Sequence, residues 1–122
     1  MEYTPKNITS LGEDEVFVFG SNLAGKHAGG AARVARECFG AVMGQGEGMQ
    51  GQSYAIPTMQ GSIETIKPYV DRFIVFARNH PKLKFYVTPI GCGIAGFRPG
   101  QIGPRFDAAF DLKNVRLPEK FA

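Results

Sequence analysis

The chain has 122 residues, with 14 Lys and Arg against 11 Asp and Glu, a net charge of +3, and 43% apolar residues. That length fits one domain with a single layered core, and the apolar-to-charged balance excludes a disordered or fibrous chain. No apolar run approaches the roughly 18 residues of a membrane span, and Met1–Asn7 lacks a secretory apolar region. Two cysteines allow one disulfide at most, so a stapled secreted fold is not expected and a reducing cytoplasm is. A charge of +3 without a clustered basic face does not point to nucleic acid. Glycine is the unusual component: its 16 copies fall in a few segments. Tight turns or a close backbone approach to a ligand are the two reasons for such clusters.

The apolar run Val16–Phe19, ending at Gly20, predicts a short strand buried on both faces, the habit of a parallel sheet under helices. A glycine-rich loop from Asn22 to Gly30 follows. Ala31, Val34, Ala35 and Cys38 then recur at helical spacing, predicting an amphipathic helix that closes at Gly40 with Cys38 in the core. Gly44–Gln52 has glycine at nearly every second position, which disfavours helix and strand alike, and reads as a lid with few buried contacts. Ser53–Pro57 predicts a second strand. Ile66, Val70, Phe73, Ile74 and Ala77 predict a helix capped by Thr65, with Pro68 in its first turn and its end before Pro81. Phe85–Thr88 reads as a strand, Pro104 as the start of a helix turning Phe106, Ala109 and Phe110 inward, and Val115–Leu117 as an edge strand. Strand and helix alternate throughout, which predicts one α/β domain over residues 1–122 with crossover connections.

The glycine segments at 20–30 and 91–96 directly follow buried strands. Ligands of open α/β sheets bind beyond the carboxyl ends of the strands. Loops that run into helices offer main-chain N–H groups and the positive dipole end to phosphate, and two such loops on one sheet edge suit a diphosphate. Gly25-Lys26 lacks the rest of a Walker A pattern. Gly91-Cys92-Gly93-Ile94-Ala95-Gly96 fits Gly-x-Gly-x-x-Gly, but no acidic residue closes a second Rossmann strand, so a dinucleotide dehydrogenase is a poor fit.

Three segments together, Phe19-Gly20-Ser21-Asn22 with Ala28-Gly29-Gly30-Ala31-Ala32, Tyr54-Ala55-Ile56-Pro57, and Pro89-Ile90-Gly91-Cys92-Gly93-Ile94-Ala95-Gly96-Phe97, resemble the macro domain. The resemblance spans roughly Asn7 to Leu117 and is nearest to the Ile-Gly-Cys-Gly branch of ADP-ribosyl hydrolases. It implies a three-layer α/β/α mixed sheet that binds ADP-ribose or an ADP-ribosylated macromolecule, with no cofactor. Carried over, Asn22 lies near the distal ribose, Gly29 and Gly30 face ribose and diphosphate, and Gly91, Cys92, Gly93, Ile94, Ala95 and Gly96 form the phosphate cradle. Phe97 walls the ribose side. Asn7 stands where the family places an aspartate for the adenine amino group; an amide oxygen can accept that bond but brings no charge. The branch's lysine before the middle strand has no counterpart in 46–54, and its acid after the loop is replaced by Ala95 and Gly96.

Single residues add candidates. His27 could exchange a proton near neutral pH, or be an exposed loop histidine. Glu47, between Gly46 and Gly48, could activate water or simply be solvated. Lys26 could meet a phosphate, and Cys92 could be a nucleophile activated by adjacent N–H groups, against the commoner role of a small buried thiol. His27 and His80, like Cys38 and Cys92, lie too far apart in sequence for a metal-ligand motif, so no metal is expected. Arg72, Arg78, Lys82 and Lys84 form a basic edge, which reads as a solvated face or as a nucleic-acid surface. The expected functions are therefore, in order, ADP-ribose binding, hydrolysis of an ADP-ribosyl group with Glu47 or His27 as acid/base, an interaction scaffold, and nucleic-acid binding.

Overall fold

The computed structural model describes residues 2–122. Its centre is strand β1, Glu15–Ser21, whose alternate side chains enter two separate apolar clusters. Val16 and Val18 point to one face of the sheet, Phe17 and Phe19 to the other, and all four are buried. A helix follows on the Phe17–Phe19 face, α1 at Gly30–Cys38. The chain then forms an antiparallel pair, β2 (Gly48–Gln50) and β3 (Ser53–Pro57), of which β3 lies parallel beside β1. Helix α2, Lys67–Arg78, covers the opposite face and leads to β4, Lys84–Val87, parallel to β1 on its other side. A single turn α3 (Pro99–Ile102), a 3-10 stretch (Gly103–Ala109) and the short parallel strand β5 (Val115–Arg116) complete a five-stranded mixed sheet in the order β2-β3-β1-β4-β5. Helical segments on both faces make three layers.

The larger cluster is aromatic. Phe73 of α2 is fully buried and meets Tyr54, Phe85 and Phe106 in tilted or edge-on contacts at 5.1–6.2 Å between ring centres. Such geometry adds about 0.5–1.5 kcal/mol per pair beyond burial. On the other face α1 turns Ala32 and Ala35 against the sheet, and Phe39 just after it packs on Phe17 at 5.0 Å.

Several expectations are corrected here. Cys38 is exposed and Val34 is 38% exposed, because Phe39 rolls α1 so that positions 32, 35 and 39 form its inner face. Thr65 does not cap α2: it ends a 3-10 turn, Ile63–Thr65, that feeds through Ile66 straight into the helix, with Pro68 in the first turn as expected. Pro104 lies inside the 3-10 stretch rather than opening an α-helix. Three residues per turn bring Gly103, Phe106 and Ala109 inward and leave Phe110 half exposed.

The segment 44–52, read as a lid, is instead built into the sheet. Its chain folds around two glutamine side chains. Gln45 Nε2 donates to the carbonyls of Glu47 and Met49, and Gln50 Nε2 to those of Gln45 and Gly48. Gln50 Oε1 accepts from the Val42 N–H at 2.8 Å. These bonds satisfy backbone groups that no apolar side chain could.

Glycine permits the close packing around this segment. A Cβ at Gly46 would collide with the carbonyl oxygens of Asn22 and Leu23, one at Gly25 with the backbone of Gly44 and Gln45, and one at Gly51 would lie 2.7 Å from the Gly40 Cα. At Gly29, Gly30, Gly93 and Gly96 a Cβ would meet nothing within 4 Å among the described residues. Gly46→Ala is therefore expected to cost at least about 2 kcal/mol of unfolding free energy, and Gly93→Ala, which has no positive φ to strain, less than about 0.5 kcal/mol. Urea unfolding of the two variants checks this, and equal stabilities would refute the packing account.

Candidate functional site

The chain leaves β1 and β4 in opposite directions. After Ser21 it turns to α1 on one face; after Val87 it passes through the second glycine loop to α3 and the 3-10 stretch, whose Ile102, Phe106 and Ala109 join the core of the other face. Adjacent parallel strands whose connections diverge open a crevice at their carboxyl ends. A cleft of about 370 Å³ lies there.

Its floor is the strand ends. Thr88 donates both N–H and Oγ1 to the Val18 carbonyl, at 3.0 and 2.8 Å, and the Thr58 N–H donates to the Ser21 carbonyl at 2.9 Å. Gly20 allows this crowding, since a Cβ there would sit 3.3 Å from both the Gly91 nitrogen and Thr58 Oγ1. One wall is Asn22, Lys26, Ala28, Gly29 and Gly30; the facing wall is Gly91, Gly93, Ile94 and Ala95. Met59 lies on the rim, and Ile94 is 86% exposed there.

Both walls present main-chain donors. The first N–H groups of α1, from Gly30 to Ala32, have no helical carbonyl to meet and carry the positive end of the helix dipole. In the second loop Gly96 N–H donates to the Gly93 carbonyl at 3.0 Å and Phe97 N–H to that of Gly91 at 2.8 Å. These two bonds shape the loop, while the N–H groups of Gly93, Ile94 and Ala95 donate to no carbonyl among the described residues. The second loop does not run into a substantial helix, contrary to expectation: α3 is a single turn begun by Pro99. Among the described lining residues Lys26 is the one bearing a charge.

Of the residues singled out in the sequence, Asn22, Gly29, Gly30, Gly91, Gly93, Ile94 and Ala95 line the cleft; Asn7, Cys92, Gly96 and Phe97 do not. Asn7 is exposed on the segment that runs from the β5 edge, where Thr4 N–H bonds the Leu117 carbonyl. Cys92 and Phe97 pack against the larger core cluster. The amide of Asn22 is engaged at both ends with its own loop, accepting from the Lys26 N–H at 2.8 Å and donating to the Lys26 carbonyl at 3.0 Å.

The two acid/base candidates lie outside the cleft and on opposite faces. Glu47 forms a two-oxygen ion pair with Arg72 of α2, at 3.0 and 3.1 Å, beside Tyr54, whose phenol is pushed up to about 12, chiefly by burial and further by the Glu47 charge. His27 is not an exposed loop histidine but fully buried, edge-on to Phe19 at 5.2 Å. Of the basic edge, Arg72 is held by Glu47 and Arg78 by Asp111. Thr58, Met59 and Thr88 were not singled out, although each sits within two residues of a strand end, where the carboxyl-end rule places ligands.

Burial raises the Cys92 thiol above its ordinary range, with the Lys120 charge opposing more weakly. A raised value means less thiolate at neutral pH, the reverse of an activated nucleophile. In Cys38→Ser protein, alkylation of Cys92 by iodoacetamide at pH 7 is expected to be slower than that of a small free thiol. Its rate should climb with pH to a midpoint above the ordinary thiol range, and a midpoint below that range would contradict the buried placement.

Comparison of the sequence with family models finds no match, and comparisons with curated proteins and with solved structures find no significant similarity.

Proposed function

We propose that this chain binds ADP-ribose or a closely related nucleoside-diphosphate derivative in the cleft between the β1 and β4 loops. The observation that carries the reading is that two groups of main-chain N–H donors without carbonyl partners among the described residues belong to residues lining one cleft: the α1 N-terminus from one loop, Gly93–Ala95 from the other. Two donor arrays on one cleft suit two linked phosphates, and Lys26 adds the matching charge. Glycine at 29, 30 and 93 keeps that space open, since a side chain there would project into it. The resemblance to the macro domain supplies the ligand class, and the three-layer sheet with its two glycine loops is compatible with that family.

Binding is favoured over hydrolysis. No described lining residue is a carboxylate or a histidine, and Glu47 is neutralised by Arg72 away from the cleft. General acid/base catalysis needs a proton-transfer group within hydrogen-bond reach of the reacting atom.

Thermal unfolding with ADP-ribose, AMP or inorganic pyrophosphate tests this reading. A ligand at about 100 times its dissociation constant adds roughly 2.7 kcal/mol of stability, several degrees for a domain of this size. A shift is expected with ADP-ribose and a smaller one with AMP; an unmoved melting curve and amide spectrum at saturating ADP-ribose would end the proposal. Gly29→Val should still fold, losing about 1 kcal/mol at the α1 N-cap, because Gly29 has extended angles and open space around its Cβ position, yet weaken ADP-ribose at least about tenfold.

A further inference from the structure

Lys26, Ala28, Gly29 and Gly30 all line the cleft, and His27 alone in that run turns its side chain into the protein. Its Nε2 lies 3.0 Å from the Gln45 carbonyl and 3.2 Å from Gln50 Oε1. The Gln50 amide is oriented by its neighbours: its Oε1 accepts from the Val42 N–H, which can only donate, and its Nε2 donates to the carbonyls of Gln45 and Gly48. Both groups facing His27 Nε2 are thus acceptors. The imidazole must carry its proton on Nε2, while Nδ1 has no partner among the described residues.

We propose that His27 is the positioning residue of the binding loop: by donating from Nε2 to Gln45 and Gln50 it fixes Lys26–Gly30 to the β2 segment and so sets the distance between the two donor walls. The inference rests on the binding reading above and goes beyond it by naming what holds one wall in place. The rest of the loop explains why one side chain matters so much. Upstream, the Asn22 amide closes on Lys26, and the Gly44 N–H bonds the Gly25 carbonyl at 2.9 Å. Downstream, Ala28, Gly29 and Gly30 offer no side chain able to hold the chain before α1 begins. If the loop occupies its binding geometry for only a tenth of the time, the apparent dissociation constant rises tenfold.

The test uses the whole chain as wild type, His27→Leu, which removes the donor, and His27→Gln, which keeps an N–H donor. ADP-ribose affinity is measured by calorimetry, and backbone amides by ¹H–¹⁵N NMR without ligand. In His27→Leu, the Gly29 and Gly30 amides should shift or broaden while those of Gly93 and Ile94 stay in place, and affinity should fall about tenfold. His27→Gln should recover most of that affinity. Wild-type affinity in His27→Leu with unmoved Gly29 and Gly30 amides would overturn the proposal, as would equal shifts at Gly93 and Ile94. Should His27→Leu fail to fold, the ¹⁵N shifts of the wild-type imidazole decide instead, since a proton found on Nδ1 with Nε2 bare would overturn it. A wild type that ignores ADP-ribose would refute the ligand reading, whereas the amide pattern and the tautomer would still decide whether His27 anchors the loop.

Discussion

Strand β1 is flanked by parallel strands on both edges and covered by helical segments on both faces, and the site follows from that confinement. A strand so placed must be apolar on both sides, which Val16, Phe17, Val18 and Phe19 satisfy. Its connection must leave toward one face because α1 needs the apolar surface of Phe17 and Phe19 to bury Ala32, Ala35 and Phe39. The connection after β4 must leave toward the other, where Phe106 completes the aromatic cluster around Phe73. Burial on the two faces thus pulls the loops apart, and the crevice between them is a consequence of core packing.

The glycines divide by what surrounds them. Gly25, Gly46, Gly40 and Gly51 let one stretch of backbone lie directly on another, so they belong to the architecture. Gly29, Gly30 and Gly93 border open cleft, so they belong to the candidate site. Gly40 and Gly51 bring the backbone of 39–40 and 51–52 into mutual contact, and Gly25 and Gly46 that of 22–25 and 44–46. That contact holds the first loop still enough for the second group to present its N–H groups in a fixed array. Ordering glycine on folding costs more backbone entropy than ordering other residues, and here the loss is offset by backbone hydrogen bonds and by the Gln45 and Gln50 amides.

Strands β1 and β3 were legible in the sequence because a doubly buried strand writes itself as a mostly apolar run, β4 because Phe85, Tyr86 and Val87 are apolar or aromatic in succession although its burial alternates, and α2 because its stripe repeats through Ile66, Val70, Phe73, Ile74 and Ala77. The phase of α1 was not: alanine carries little hydropathy signal, and the residue that decides the roll, Phe39, lies just past the helix end. Strand β2 was hidden for another reason. Hydropathy does not register an amide that satisfies the backbone of its own segment, and Gln50 is buried doing that. The cleft walls were legible through the rule that glycine loops after parallel strands meet at the carboxyl edge. His27 was not, since nothing in one dimension distinguishes a loop histidine turned to the ligand from one turned to the core.

The two walls are held by different means, and that decides which one the rest of the molecule can influence. The second loop is closed by its own hydrogen bonds between Gly93 and Gly96 and between Gly91 and Phe97, with Ile90 and Phe97 seated in the larger core. The first is tied through His27, Gly25 and Ser21 to residues 44–50. That segment includes β2, an edge strand, which pairs with β3 on one side alone. Edge strands open at lower free-energy cost than central ones. Whatever loosens β2 therefore reaches the cleft through the contacts of His27, Gly25 and Ser21, whereas strain in the aromatic core reaches the second loop through Ile90 and Phe97. A ligand bridging both walls would join the edge strand β2 to the larger, aromatic core.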